Sequence, residues 1–166
     1  QVKSQLNLDE VMFIPDYQPP HIDKKTAISA EKRLKMVKLS TMDEPGFKVS
    51  DIELRRKGVS YTIDTIKELK LKNPEVDYYF IIGGDMVEYL PKWHRIEELI
   101  KLVKFVGVGR PGYRKESKYP IMWVDVPMTD ISSTLVRRNV KQGCSIKYLV
   151  TPEVENYIHE EGLYRE

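Results

Sequence analysis

Only one cysteine, Cys144, occurs in the chain, so no internal disulfide can form and a reducing compartment, the cytosol, is the expected setting. The three histidines, His21, His94 and His159, are scattered without metal-ligand spacing, so no protein-held metal is expected. Neither sign of charge dominates. The 27 Lys and Arg against 25 Asp and Glu leave +2, and no basic block is long enough to argue for nucleic acid or a membrane surface. No apolar run approaches the roughly 20 residues that span a bilayer, and no signal peptide stands at the start. The first residue is Gln1 rather than methionine, as in a segment of a longer chain. Also missing are the G-x-G-x-x-G fingerprint, the G-x-x-x-x-G-K-[ST] loop and the G-x-S-x-G elbow, which removes the main support for dehydrogenases, P-loop phosphotransferases and α/β-hydrolases. What is left reads as a soluble globular chain, 41% hydrophobic and 31% charged over 166 residues, long enough for one domain with a real core and suited to a small-molecule partner.

The stretch Tyr78 to Trp93, YYFIIGGDMVEYLPKW, is the centre of the pattern. Tyr78-Tyr79-Phe80-Ile81-Ile82 is an unbroken apolar run between Pro74 and two glycines, which predicts a central parallel strand buried on both faces. Gly83-Gly84 removes two side chains at the strand's carboxyl end, where open α/β sheets bind ligands, and Asp85 is expected to cap the next helix. Leu90-Pro91-Lys92-Trp93 then brings a tryptophan and a cation one short helix away from the glycines.

Along the chain, Gln1 to Leu8 has the look of a helix tail, and Val11-Met12-Phe13-Ile14 predicts a buried strand stopped by Pro15. Two prolines stiffen the loop Asp16 to His21 and place His21 beyond a strand end, where it either meets a ligand or lies on the surface. Ser29 opens a helix with Leu34, Met36, Val37 and Leu39 on its buried side, and its Arg33 is either a solvated charge or a phosphate contact. Phe47 and Val49 alternate as a short strand, after which Ile52 to Gly58 predicts a polar connection with Arg55-Arg56-Lys57 in solvent. Ser60-Tyr61-Thr62-Ile63-Asp64-Thr65 is a helix start, with Ile63, Ile66 and Leu69 as the packed face. Structure alone explains these residues, but free N–H groups and a hydroxyl at such a start also suit a carboxylate. Ile96, Leu99 and Ile100 mark a helix, Phe105 to Gly109 a strand, Arg110-Pro111-Gly112 a turn and Ile121 to Val126 the last strand. Ile131-Ser132-Ser133-Thr134-Leu135-Val136-Arg137 opens a helix running to about Gln142, with Gly143 as its stop. Its hydroxyls, N–H groups and arginine suit a polyphosphate, while a serine cap with a surface arginine is the structural alternative. Thr151-Pro152-Glu153 starts a scaffold helix with Val154, Tyr157 and Ile158 packed. Strands alternating with helices predict an α/β fold, a parallel sheet covered by helices on both faces.

These segments together resemble bacterial nicotinate-nucleotide adenylyltransferase, in the nucleotidyltransferase superfamily with its Rossmann-like fold, and the likeness runs over essentially all 166 residues. It is carried by Pro19-Pro20-His21, Ser29 with Arg33 and Met36, Arg56 to Thr65, Phe80 to Asp85 with Leu90 to Trp93, Arg110-Pro111-Gly112, and Ile131 to Arg137. The S-Y-T-x-D-T and L-P-x-W pieces belong to this enzyme group, whereas I-S-S-T-x-x-R is shared across the superfamily. The resemblance implies one nucleotidyltransferase domain over residues 1–166. It implies adenylyl transfer from ATP to nicotinate mononucleotide, giving deamido-NAD and pyrophosphate, with Mg²⁺ carried on the substrate phosphates. Ser60, Tyr61, Thr62, Trp93 and His94 would bind the mononucleotide, with the carboxylate at Thr62 and the backbone after Trp93, and the pyridine on the Trp93 ring. His21, Gly83, Asp85, Ile131, Ser132, Ser133 and Arg137 would bind ATP. A cytoplasmic protein is implied, and a homodimer is compatible with it.

Two departures from the family pattern stand out. Ile22 follows His21 where members often carry Lys or Arg, with Lys24 and Lys25 as substitutes. Members also open with a strand and G-G-x-F-D-P-x-H-x-G-H, and nothing like it precedes Ile14, so the catalytic histidines are unassigned and the chain is expected to start inside the helix after that motif. Alone, such a segment is expected to fold poorly or to need completion, and to turn over poorly. Two other readings stay open: another adenylyl or cytidylyl transferase, for instance on a pantetheine phosphate, or a nucleotide-binding module without turnover.

Overall fold

In the computed structural model, which describes residues 1–18, 28–109, 115–127 and 129–165, the chain folds as two units: Gln1–Leu8 with Val59–Met128, and Asp9–Gly58 with Thr129–Glu166. In chain order the elements are α1 (Val2–Gln5), β1 (Val11–Phe13), α2 (Ala30–Thr41), β2 (Phe47–Val49), α3 (Ile52–Arg56), α4 (Thr62–Lys72), β3 (Tyr79–Gly83), α5 (Gly84–Tyr89), a 3-10 turn (Leu90–Lys92), α6 (Ile96–Leu102), β4 (Lys104–Val108), β5 (Ile121–Val124), α7 (Ser133–Lys141) and α8 (Pro152–Glu160). No helix among the described residues is long and apolar enough to cross a membrane.

The first unit is built on a parallel sheet of order β3-β4-β5. Its register aligns Phe80 with Phe105 and Ile121, and Ile81 with Val106 and Met122, so alternate residues supply two apolar faces. On one face Val106 and Val124 pack against Val2 of α1, flanked by Leu6 and Leu8. On the other, the rings of Phe80 and Phe105 meet edge to face at 5.7 Å. Gly107 has no side chain because Trp123 lies over it: a Cβ there would stand 2.7 Å from the indole. The helical spacing of Ile63, Ile66 and Leu69 buries that face of α4 as predicted, and Ile96 and Leu99 do the same for α6. Each such side chain contributes about 2 kcal/mol through apolar burial. Lys67 of α4 pairs with Glu98 of α6 at 2.5 Å, tying the two helices on their polar side.

The apolar run that becomes β3 is not buried on both faces. Among the described residues β3 is hydrogen-bonded only to β4, and of its residues Ile82 is buried while Ile81 remains 38% exposed. An unbroken apolar run reports the side chains' preference but not the number of neighbouring strands.

In the second unit β1 and β2 pair in parallel, Val11 beside Phe47, with Phe13 and Phe47 edge to face at 5.1 Å. Ser29 caps α2 by accepting from the Lys32 N–H at 3.3 Å, and Met36 and Leu39 pack on a core of Val136, Val140, Ile146, Val154, Ile158 and Leu163. Ser132 and Thr151 cap α7 and α8 in the same way. Gly143, at φ 68°, takes the left-handed position that ends α7.

The predicted polar connection Ile52 to Gly58 is instead the short helix α3, with Ile52 and Glu53 buried. Arg55 does lie in solvent, paired with Asp51 at 2.9 Å. Arg56 does not: it is largely covered, and its Nη2 stands 3.9 Å from Glu53 Oε1. Glu53 turns inward, with its carboxyl beside that of Asp16 in the loop after β1. Arg33 holds the same loop by donating to the carbonyls of Asp16, at 2.7 Å, and Tyr17, at 3.1 Å. Burial, then the charge and hydrogen bond of Glu53, push the Asp16 carboxyl up to about 6, with Arg33 opposing.

A raised carboxyl pKa means the folded chain holds a proton that the unfolded chain has released. Stability from Asp16 is therefore intact at low pH and lost as pH rises from the ordinary carboxylate range through about 6. Asp16→Asn keeps a neutral partner for Glu53. Its Tm relative to wild type is expected to climb by at least about 2 °C between about pH 4 and pH 7, measured by thermal melts; a constant offset across that range would show that Asp16 does not titrate this way.

Candidate active site

At the carboxyl end of β3 the backbone passes straight into α5, with Gly83 as N-cap and Gly84 buried as the first helical residue. Asp85 is thus not the cap: it stands in the first turn, partly buried and in contact with other groups, where a carboxylate complements the helix dipole. The helix therefore starts two residues earlier than predicted, directly at the strand's end.

Leu90, fully buried, anchors the 3-10 turn, and the Trp93 N–H donates to its carbonyl at 3.0 Å. The Trp93 ring meets Phe80 edge-on at 5.6 Å and Phe105 at 6.1 Å, yet the residue stays half-buried, so part of the indole is accessible. The next residue, His94, is exposed and lies over Tyr61, ring centroids 4.4 Å apart and tilted by 34°. Tyr61 is the N-cap of α4 and Thr62 its first residue, so this ring contact brings the helix start to the Trp93 segment. At that start the first N–H groups have no intrahelical acceptor. Ser60 just before it is buried at 6% exposure and engaged with other groups. Arg95 takes a left-handed backbone, φ 54° and ψ 41°, as the N-cap of α6, and its guanidinium also pairs with Glu98. Lys67, first, and then Arg95 hold the Glu98 carboxyl below the usual range. Glu98 thereby ties Tyr61's helix to the turn that carries His94.

Of the residues predicted for ATP, Gly83 and Asp85 stand in the first unit and Ile131, Ser132, Ser133 and Arg137 in the second. Ile131 precedes α7 and is 45% exposed. Ser132 is the N-cap, its hydroxyl accepting from the Leu135 N–H at 3.2 Å, and Ser133 is the first helical residue and exposed. Arg137, exposed, donates from Nη2 to the Thr134 hydroxyl at 3.1 Å, which turns its guanidinium back along the helix toward this same end. Tyr164 packs on the adjoining core; burial raises its phenol, and the charges of Arg137 and Arg33 act against that rise. His21 and Arg110-Pro111-Gly112 lie outside the described residues. Thr134 carries no functional mark in the sequence beyond its motif, and only the i, i+3 spacing to Arg137 could have signalled the bond. Among the described residues no group of three or more His, Cys, Asp or Glu is placed to hold a metal ion.

A family model described as Cytidylyltransferase-like matches residues 1–139. A protein of Enterococcus faecalis named probable nicotinate-nucleotide adenylyltransferase is 60% identical over 166 residues, all of this chain and 76% of its own length. One of Streptococcus mutans with the same name is 53% identical over 165 residues, 99% of this chain and 79% of its own. The solved structure of Plasmodium falciparum nicotinic acid mononucleotide adenylyltransferase complexed with NaAD superimposes with a TM-score of 0.76, covering 95% of this chain and 83% of that one, and at 18% identity it speaks for the fold.

Proposed function

The chain belongs to the nicotinate-nucleotide adenylyltransferases, and from that membership we infer that it transfers the adenylyl group of ATP to nicotinate mononucleotide, releasing pyrophosphate and forming deamido-NAD in NAD biosynthesis. The observation that carries the acceptor side is the Tyr61–His94 ring contact at 4.4 Å, which sets the start of α4, with Thr62, beside the segment that holds Trp93. We read residues 1–166 as one nucleotidyltransferase domain, and the family match over residues 1–139, which runs through both units, supports this. The single exposed Cys144 and the absence of a membrane-length helix among the described residues fit a cytoplasmic setting.

In this reading a phosphate oxygen of the mononucleotide attacks the α-phosphorus of ATP in line, the bond to the bridging oxygen breaks, and pyrophosphate leaves with its charge. The nucleophile is already an anion, so the protein's part is positioning and charge stabilisation rather than a covalent intermediate. Thr62 and the N–H groups around it receive the pyridine carboxylate, the accessible part of the Trp93 ring stacks on the pyridine, and Ser60, Tyr61 and His94 frame that pocket. Gly83 and Asp85 line the adenosine, while Ser132, Ser133 and Arg137 with the Ile131 backbone take the phosphates; His21 is assigned to them by the resemblance alone. Mg²⁺ enters with ATP on its phosphate oxygens, and no side chain is assigned to it.

Two measurements test this assignment. Trp93→Ala removes stacking worth about 1 to 3 kcal/mol, so kcat/KM for nicotinate mononucleotide should fall about 5- to 150-fold while KM for ATP moves little. Equal losses for both substrates would leave Trp93 as packing for Phe80 and Phe105. The helix start at Thr62 favours an anion, so kcat/KM for the nicotinate acceptor should exceed that for the nicotinamide one. A preference for the neutral amide, or pyrophosphate release only with a pantetheine phosphate, would overturn the assignment.

A further inference from the structure

Arg137 is an exposed arginine on a helix surface, a position at which a long side chain ordinarily samples many rotamers. Here it has one defined tether, the bond from its Nη2 to Thr134 Oγ1 at 3.1 Å. Thr134 is well suited to hold it. It stands in the first turn of α7, its β-branched side chain has few χ1 choices, and its hydroxyl oxygen accepts while its backbone is fixed by the helix that Ser132 caps. The bond spends one of five guanidinium donors and leaves the rest for a forked contact with phosphate. Ser132 cannot play this part, because its hydroxyl is already turned to the Leu135 N–H.

We propose that Thr134 is a positioning residue for ATP, holding the Arg137 guanidinium toward the first turn of α7 in the orientation in which it receives the phosphates. The proposal rests on the reading of Arg137 as a phosphate ligand, and its test separates the two. Thr134 acts through Arg137 and not by touching phosphate, so the whole effect of its hydroxyl should pass through the arginine. A lysine at 137 presents an ammonium without the planar fork, so a hydroxyl that orients a guanidinium has little left to orient.

The experiment is steady-state pyrophosphate release and thermal melting for Thr134→Val, Thr134→Ser, Arg137→Lys and the double variant Thr134→Val with Arg137→Lys, in the full chain. Thr134→Val should raise KM for ATP about 10-fold, the size of one hydrogen bond to a charged group, with KM for the mononucleotide and the Tm near wild type. Thr134→Ser, which keeps the hydroxyl, should restore ATP binding. In the Arg137→Lys background Thr134→Val should add nothing. If valine at 134 lowers the Tm, Thr134→Ala supplies the same comparison. Unchanged ATP kinetics in Thr134→Val while Arg137→Lys is impaired would overturn the positioning role alone. A loss from Thr134→Val that persists in the Arg137→Lys background would overturn it in favour of a direct contact. Wild-type ATP kinetics in Arg137→Lys would remove the phosphate reading and the proposal with it.

Discussion

The edge-to-face packing of Trp93 against Phe80 and Phe105 is the contact on which the first unit's candidate site depends. It exists because parallel register sets Phe80 of β3 beside Phe105 of β4 on one sheet face, and because the 3-10 turn, anchored by the fully buried Leu90, returns the chain over those two rings. Aromatic pairs in this geometry contribute about 0.5 to 1.5 kcal/mol beyond the area they bury. The consequence is positional. Next to Trp93, the His94 ring meets Tyr61 at the start of α4. The start of α4 and the segment carrying the partly accessible Trp93 ring, distant in sequence, are thereby brought together. Specificity for a flat anion can rest on such a set, because an aromatic face and a helix start reward planarity and negative charge separately.

The second unit solves its problem with electrostatics. Helix α7 presents a serine cap, exposed hydroxyls and an arginine folded back toward the helix start, all on one end of a helix whose other side packs through its own Val136 and Val140 on Ile146, Val154, Ile158 and Leu163. Beside β1 and β2 the same unit brings the partly buried Asp16 carboxyl to the buried Glu53, with Arg33 and Arg56 close by, and burial with the Glu53 charge raises the Asp16 carboxyl to about 6. The shared proton removes the like-charge repulsion between the two carboxyl groups, so this corner is most stable while the proton is held and loosens as pH rises through about 6.

What could be read from the residues was whatever is decided locally. The starts of α2 and α8 follow from serine or threonine caps and a periodic apolar face, and the end of α7 from Gly143. The parallel α/β class followed from strands alternating with helices, and the family from motifs spread along the chain. What could not be read depended on neighbours. The run Tyr79 to Ile82 has the composition of a doubly covered strand, yet its burial is set by how many strands pair with it. Glu53 sits among cations that suggest solvent, and only the pairing of β1 with β2 brings Asp16 to it. The resemblance names Tyr61 and His94 together, but their ring contact is visible only once α4 and α6 are packed.

The chain holds two tryptophans, Trp93 and Trp123, so a Trp123→Phe variant leaves Trp93 as its one indole reporter. The most direct test of an acceptor site built on that ring is its fluorescence during titration. Stacking of the pyridine on Trp93 predicts saturable quenching by nicotinate mononucleotide, weaker quenching by the nicotinamide nucleotide at the same concentration, and little change with ATP alone. Unaltered emission on adding the nicotinate nucleotide, with binding shown by calorimetry in the same sample, would contradict the account.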